Sequence, residues 1–94
     1  MGARLKDKIA FITGAGSGIG LATTQRFIDE GARVLAADIQ DEAGAALQRR
    51  FAGRLKYAHC DVTQPVQIQA AVDRAAAEFG GLDIVFNNAG AGGQ

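Results

Sequence analysis

Thr13-Gly14-Ala15-Gly16-Ser17-Gly18-Ile19-Gly20 decides how the rest of the chain is read. The apolar run Ile9-Ala10-Phe11-Ile12 leads straight into it, and a helical pattern leaves from its far end. Four glycines in seven residues let the backbone take positive φ and approach a ligand closely, because no Cβ stands in the way. The helix that follows offers unpaired N–H groups and the positive end of its dipole to an anion. The two properties together suit a pyrophosphate. The spacing departs from Gly-x-Gly-x-x-Gly, since Gly14, Gly18 and Gly20 make Gly-x-x-x-Gly-x-Gly.

Working outward from this loop, strand and helix patterns alternate. Residues 9–13 read as a strand. The first helix is predicted over 18–30, where Ile19, Thr23 and Phe27 recur every four residues as one packing face. Gly31 ends it as a cap. Val34-Leu35-Ala36-Ala37 is apolar on both faces, as a buried parallel strand is, and stops at Asp38. A second helix is predicted over 41–51, with Asp41 and Glu42 in its first turn and Arg49 and Arg50 in its last, as the dipole prefers. Gly53 follows as its stop. Residues 55–60 read as a third, weaker strand. Thr63 is the expected cap of a third helix, with Pro65 tolerated in the first turn and Ile68, Val72, Ala75 and Phe79 as its apolar stripe. Gly80-Gly81 breaks that helix, and a fourth strand over 82–86 runs into Asn87-Asn88-Ala89-Gly90.

The pattern is βαβαβαβ over a single domain, 1–94. Helical crossovers between strands mean an α/β fold with a parallel sheet and right-handed connections. In a doubly wound sheet the order is 3-2-1-4, which leaves a crevice above strands one and four. Those strands carry the glycine loop and the Asn-Asn-Ala-Gly turn.

Composition narrows the function classes. At 48% apolar and 21% charged, the 94 residues are those of an ordinary globular domain. Ten basic and ten acidic residues cancel, so no net field attracts nucleic acid or an anionic membrane. A single cysteine forms no internal disulfide, which fits a reducing compartment. The polar start carries no signal-peptide pattern and no apolar run approaches about 20 residues. A cytoplasmic protein is the expectation.

Asp38 lies at the end of strand two, 18 residues beyond Gly20, near the spacing of about 20 expected of a ribose-binding acid. The competing reading is a solvated aspartate capping the next helix. In the binding role the carboxylate accepts from both ribose hydroxyls and repels a 2′-phosphate. Two unit charges about 4 Å apart repel by roughly 4 kcal/mol at an effective dielectric of about 20. Neither Ser17 nor Ile39 is basic, so nothing there pairs with that phosphate, and NAD is favoured over NADP. His59 and Cys60 are neighbours in a strand, point to opposite faces and cannot chelate one ion, so both read as structural.

With Thr13 before it and Ile19 within it, the glycine stretch resembles the cofactor loop of the short-chain dehydrogenase/reductase family. Asn87-Asn88-Ala89-Gly90 resembles that family's second hallmark, and two asparagines ending a buried strand run against strand propensity. The resemblance covers residues 8 to 90 and implies a Rossmann-type fold. It also implies hydride transfer between a nicotinamide cofactor and a small alcohol or ketone. Carried over position by position, the cofactor-binding set is Gly14, Gly16, Ser17, Gly18, Ile19 and Gly20 in the loop, with Asp38 and Ile39 at the ribose. Asp61 and Val62 follow at the adenine edge, where Asp61 otherwise serves as a helix cap with Thr63. Asn88, Ala89 and Gly90 complete the set, with Asn87 bracing the sheet, against the simpler reading of a plain turn.

The family's catalytic residues, a further asparagine, a serine and Tyr-x-x-x-Lys, have no counterparts here. The only serine is Ser17, and the only tyrosine, Tyr57, has Asp61 four residues on. The chain therefore reads as the amino-terminal, NAD-binding half of a dehydrogenase, without catalytic residues of its own and homo-oligomeric at full length. A catalytically silent nucleotide-binding module is the alternative. An S-adenosylmethionine methyltransferase resembles the chain less, since Ile12 stands where those enzymes usually carry an acid. A P-loop NTPase is excluded, because no Lys-Ser/Thr follows the glycines.

Overall fold

A computed structural model describes residues 5–15 and 18–87 of the chain. Gly16, Ser17, Asn88, Ala89 and Gly90 lie outside the described residues. Seven elements alternate: β1 (Ile9–Thr13), α1 (Gly18–Asp29), β2 (Arg33–Asp38), α2 (Asp41–Arg50), β3 (Leu55–His59), α3 (Pro65–Phe79) and β4 (Ile84–Asn87). The four strands form one parallel sheet in the order β3-β2-β1-β4. This is the doubly wound Rossmann arrangement that the strand–helix alternation predicts. Register aligns the carboxyl ends: Thr13 lies beside Ala37 and Asn87, and Asp38 beside His59.

Every residue of β1 is buried, which is why that strand reads as a continuous apolar run. Alternate residues serve two cores. Ala10, Ile12, Val34, Ala36 and Leu55 meet Leu47 of α2, with Leu21, Phe27 and Ile28 of α1 packed against them. Phe11, Leu35, Ala37 and Ala58 meet Ala71 and Ala75 of α3, with Ile68, Val72 and Phe79 alongside. Burying a side chain such as Phe11 contributes about 2–3 kcal/mol.

Gly31 closes α1 at φ 97°. Its N–H bonds Ile28 O at 3.0 Å and that of Ala32 bonds Phe27 O at 2.9 Å, the paired pattern of a left-handed helix stop. Gly80 caps α3 at φ 87°, also left-handed, with its N–H bonded to Ala76 O at 2.9 Å. At the amino edge of the sheet Asp83 grips β1 twice. Its N–H donates to Ile9 O at 2.8 Å, and its Oδ2 accepts from Ile9 N at 2.9 Å.

Three local expectations are corrected. The buried face of α1 is Gly20 and Thr24, while Ile19 is 69% exposed, because the helix is rotated so that small residues approach the sheet. The N-cap of α3 is Gln64, which makes no side-chain cap bond. Thr63 is instead drawn back toward Asp61, whose Oδ1 accepts from its N at 2.9 Å and its Oγ1 at 2.7 Å. β4 begins at Ile84 and not at Leu82, since Asp83 turns its side chain to Ile9 before the ladder starts.

Candidate dinucleotide-binding site

The glycine loop starts where β1 ends. Gly14 takes φ 64° and its N–H donates to Ala37 O at 2.8 Å, so the chain crosses toward β2 before turning up. Ala15 is fully buried beneath the turn. Gly18 opens α1 at φ 55°, and a Cβ built there meets nothing within 4 Å. A side chain at Gly18 would thus have open space, and the first turn of any helix carries N–H groups without intrahelical partners. Gly20 is buried, and its carbonyl accepts from Thr24 Oγ1 at 2.8 Å. Such a cradle of positive-φ glycines beside a helix start fits a pyrophosphate.

At the end of β2, Asp38 is 8% exposed and so is not the solvated aspartate of the simpler reading. Its Oδ1 accepts from Ile39 N at 2.7 Å and Gln40 N at 3.2 Å, which tightens the β2–α2 turn. Nor does it cap α2, whose N-cap is Gln40. Ile39, the next residue, is 60% exposed and offers an apolar surface beside the carboxylate. After β3, Asp61 and Val62 are both half-buried. The Thr63 hydroxyl and amide hold the Asp61 carboxyl below the usual carboxylate range. The Asp61 N–H is taken by Gln67 Oε1 at 2.9 Å, so the next amide in this turn is that of Val62.

The sheet thus gathers Gly14, Gly18, Ile19, Asp38, Ile39, Asp61 and Val62 at its carboxyl edge, on the turns that follow β1, β2 and β3. Asn87, at the end of β4, joins them through Thr13: Thr13 Oγ1 donates to Asn87 Oδ1 at 2.9 Å. Among the described residues, no three His, Cys, Asp or Glu side chains are grouped to hold a metal ion. His59 is exposed toward α2, whereas Cys60 is buried in the α3-side core, so the neighbours face opposite ways as alternation requires. Burial pushes the Cys60 thiol up.

Sequence reasoning missed the support beneath Asp38. Tyr57 Oη lies 2.8 Å from Asp38 O and 2.7 Å from Asp41 Oδ1, and His59 Nδ1 lies 2.8 Å from that same carboxylate oxygen. The Asp38 carbonyl also accepts from Cys60 N at 3.0 Å. The Tyr57 and His59 hydrogen bonds hold the Asp41 carboxyl below its usual range, and burial together with Asp41 holds the Tyr57 phenol well above its own. Room for the Tyr57 ring comes from Gly44 of α2, where a Cβ would collide with ring atoms Cγ, Cδ1 and Cε1. The one signal in the sequence is a glycine inside a helix, which costs stability unless something needs the space.

A parallel sheet of this order with a glycine cradle at its switch point defines a Rossmann-type nucleotide-binding fold. Residues 8–94 match the model of the short chain dehydrogenase family, and the chain belongs to that family. It is 52% identical over 91 residues to momilactone A synthase of Oryza sativa subsp. japonica, covering 96% of this chain and 33% of that protein. It is 49% identical over 87 residues to (+)-borneol dehydrogenase 1 of Salvia officinalis, covering 93% of this chain and 34% of that protein. The crystal structure of a 3-ketoacyl-(acyl-carrier-protein) reductase from Brucella melitensis complexed with NADH superposes with a TM-score of 0.82 at 32% identity. That match covers 86% of this chain and 33% of the other. The chain spans about a third of the length of the curated relatives it matches.

Proposed function

We propose that this chain is the dinucleotide-binding part of an NAD-dependent short-chain oxidoreductase that moves a hydride between the nicotinamide ring and a secondary alcohol or ketone. The observation that carries this reading is the convergence of Gly14, Gly18, Asp38 and Asp61 at one edge of the sheet. In this role the amides around Gly14 and the start of α1 hold the pyrophosphate. Asp38 binds the adenosine ribose, and Asp61 with the Val62 amide reads the adenine edge. Gly16, Ser17, Asn88, Ala89 and Gly90 complete the proposed set from outside the described residues.

When bound, NAD supplies the hydride acceptor, and these side chains and amides position it. No Tyr-x-x-x-Lys pair exists in the 94 residues to move the substrate proton. The chain alone is therefore expected to bind NAD weakly, through the adenosine half, and to leave a ketone unreduced. Isothermal titration of the chain with NAD and NADP, alongside an NADH-oxidation assay with a cyclic ketone, tests both parts. Absence of any NAD binding at millimolar concentration, or turnover by the chain alone, overturns the reading.

A further inference from the structure

A groove on the face of the sheet opposite α2 uses none of the residues proposed to hold the cofactor. β3 is an edge strand, and a cavity of about 300 Å³ opens between it and α3, lined by Ala58, His59, Gln67, Ala70, Ala71 and Arg74. That size lies at the small end of ligand cavities. Three alanine methyl groups make its middle apolar, and its two ends are polar. Gln67, Ala71 and Arg74 share one face of α3, and seven residues set the two polar side chains about 10 Å apart along the axis.

At one end the donors are neutral. Gln67 Oε1 accepts from Asp61 N at 2.9 Å, which fixes the amide so that Nε2 keeps both N–H groups, unbonded among the described residues. His59 turns its ring to Asp41 of α2, so it meets the groove through its main chain. Arg54 O and Cys60 N bond β2, and peptide groups alternate between them, so the N–H groups of Leu55, Tyr57 and His59 face the open edge. Phe51 O takes the first at 3.1 Å and Gln48 Oε1 the second at 2.8 Å, whereas that of His59 has no partner among the described residues. One open amide is too little for an added strand, but together with Gln67 it suits a single carbonyl oxygen. The other end is cationic. Arg74 spends Nε on Glu78 Oε2 at 2.6 Å and keeps both terminal nitrogens. Arg74, and after it Lys56, hold the Glu78 carboxyl below the usual range, so two cations face one anion there.

We propose that this groove binds a short aliphatic carboxylate with a carbonyl at its far end. Arg74 takes the carboxylate, the methylenes lie over Ala58, Ala70 and Ala71, and Gln67 Nε2 with the His59 amide takes the carbonyl oxygen. The Asp61 carboxyl, in the turn that Gln67 braces and held below its usual range by Thr63, disfavours a second carboxylate at that end. The inference does not rest on the dinucleotide reading, since no residue lining the groove belongs to the proposed cofactor set.

Three six-carbon probes separate the parts of the site: 5-oxohexanoate, hexanoate and adipate, each titrated into the 15N-labelled chain at neutral pH and low salt. Shifts are expected at the amides of His59, Ala70 and Ala71 and at the side-chain amide of Gln67. Wild type should bind 5-oxohexanoate about fivefold more tightly than hexanoate, the size of one neutral hydrogen bond, and adipate no better than hexanoate. Arg74→Gln should weaken 5-oxohexanoate and hexanoate alike by about fivefold, the range of a partly exposed charge pair. Gln67→Glu keeps an oxygen for Asp61 N but removes the donors, so it should erase the preference for the oxo acid. Ala70→Leu fills the groove from an exposed position and should abolish binding. Equal affinities of wild type for 5-oxohexanoate and hexanoate, no loss in Arg74→Gln, or shifts scattered over other exposed arginines such as Arg33 and Arg49 overturn the inference. If a variant loses its folded spectrum, the wild-type comparison of the three probes decides by itself. Absence of binding by all three overturns the inference too, and leaves the dinucleotide reading to its own titration with NAD.

Discussion

Thr13 Oγ1 donates to Asn87 Oδ1 at 2.9 Å, joining residues 74 apart in sequence that the parallel register of β1 and β4 sets side by side. At the other end of the same two strands, Asp83 Oδ2 accepts from Ile9 N at 2.9 Å. β1 and the edge strand β4 are thus pinned to each other at both ends by side chains. The expectation that Asn87 braces the sheet has a physical partner in Thr13.

Thr13→Val keeps the shape and the strand preference but leaves the Asn87 carbonyl without this donor. A loss of about 1–2 kcal/mol in urea unfolding is expected, and a double-mutant cycle with Asn87→Ala should return a coupling of at least about 0.5 kcal/mol. A coupling near zero would mean that the contact contributes nothing.

Gly18→Ala places a Cβ in open space, so no packing is disturbed. Its cost to the fold is the φ of 55°, about 1–2 kcal/mol. Nucleotide binding should fall far more than that, because the methyl group sits in the proposed phosphate approach. Comparing melting temperature with NAD affinity separates the two effects, and a variant that binds normally removes Gly18 from the site.

Asp38→Ala should narrow a preference for NAD over NADP that is expected to be at least about tenfold, or about 1.4 kcal/mol. Calorimetry with both dinucleotides reads this directly. Equal affinities in the unmutated protein would end the assignment of Asp38 as the discriminating acid.

Tyr57 is the only tyrosine and the chain has no tryptophan, so absorbance near 295 nm follows this one phenol. Its folded pKa is raised, first by burial and then by Asp41. Stability from this group is therefore complete below the ordinary tyrosine value of about 10 and is lost as the pH climbs beyond it, where only the unfolded chain ionises. Phenolate should appear together with unfolding and not before it, and Tyr57→Phe should resist alkali better. A reversible titration near pH 10 in the folded protein would contradict this.

Gly44→Ala sets two effects against each other. A helix-interior alanine is worth about 1 kcal/mol over glycine, whereas driving a methyl group into the Tyr57 ring costs about 1–3 kcal/mol. Net destabilisation is expected in thermal unfolding, and Tyr57→Ala in the same chain should convert it to a gain. Stabilisation by Gly44→Ala alone would show that the ring moves freely.

The sequence by itself determined the order of elements, the parallel sheet and the family. Each rests on local signals that survive any packing: the apolar runs Ile9–Ile12 in β1 and Val34–Ala37 in β2, the capping Gly31 and Gly80, the glycines at Gly14 and Gly18, and an acid ending β2. Tertiary structure decided what periodicity leaves open. A four-residue repeat marks a helix but does not say which side meets the sheet, so the pattern points Ile19 inward whereas Gly20 and Thr24 occupy that face. Cap preferences name Thr63, yet the Asp61 carboxylate competes for its hydroxyl and wins. Nothing local could link Thr13 to Asn87, or Tyr57 to Gly44, Asp38 and Asp41. Those contacts exist only once the strand register and the packing of α2 on β3 bring distant side chains within a hydrogen bond's reach.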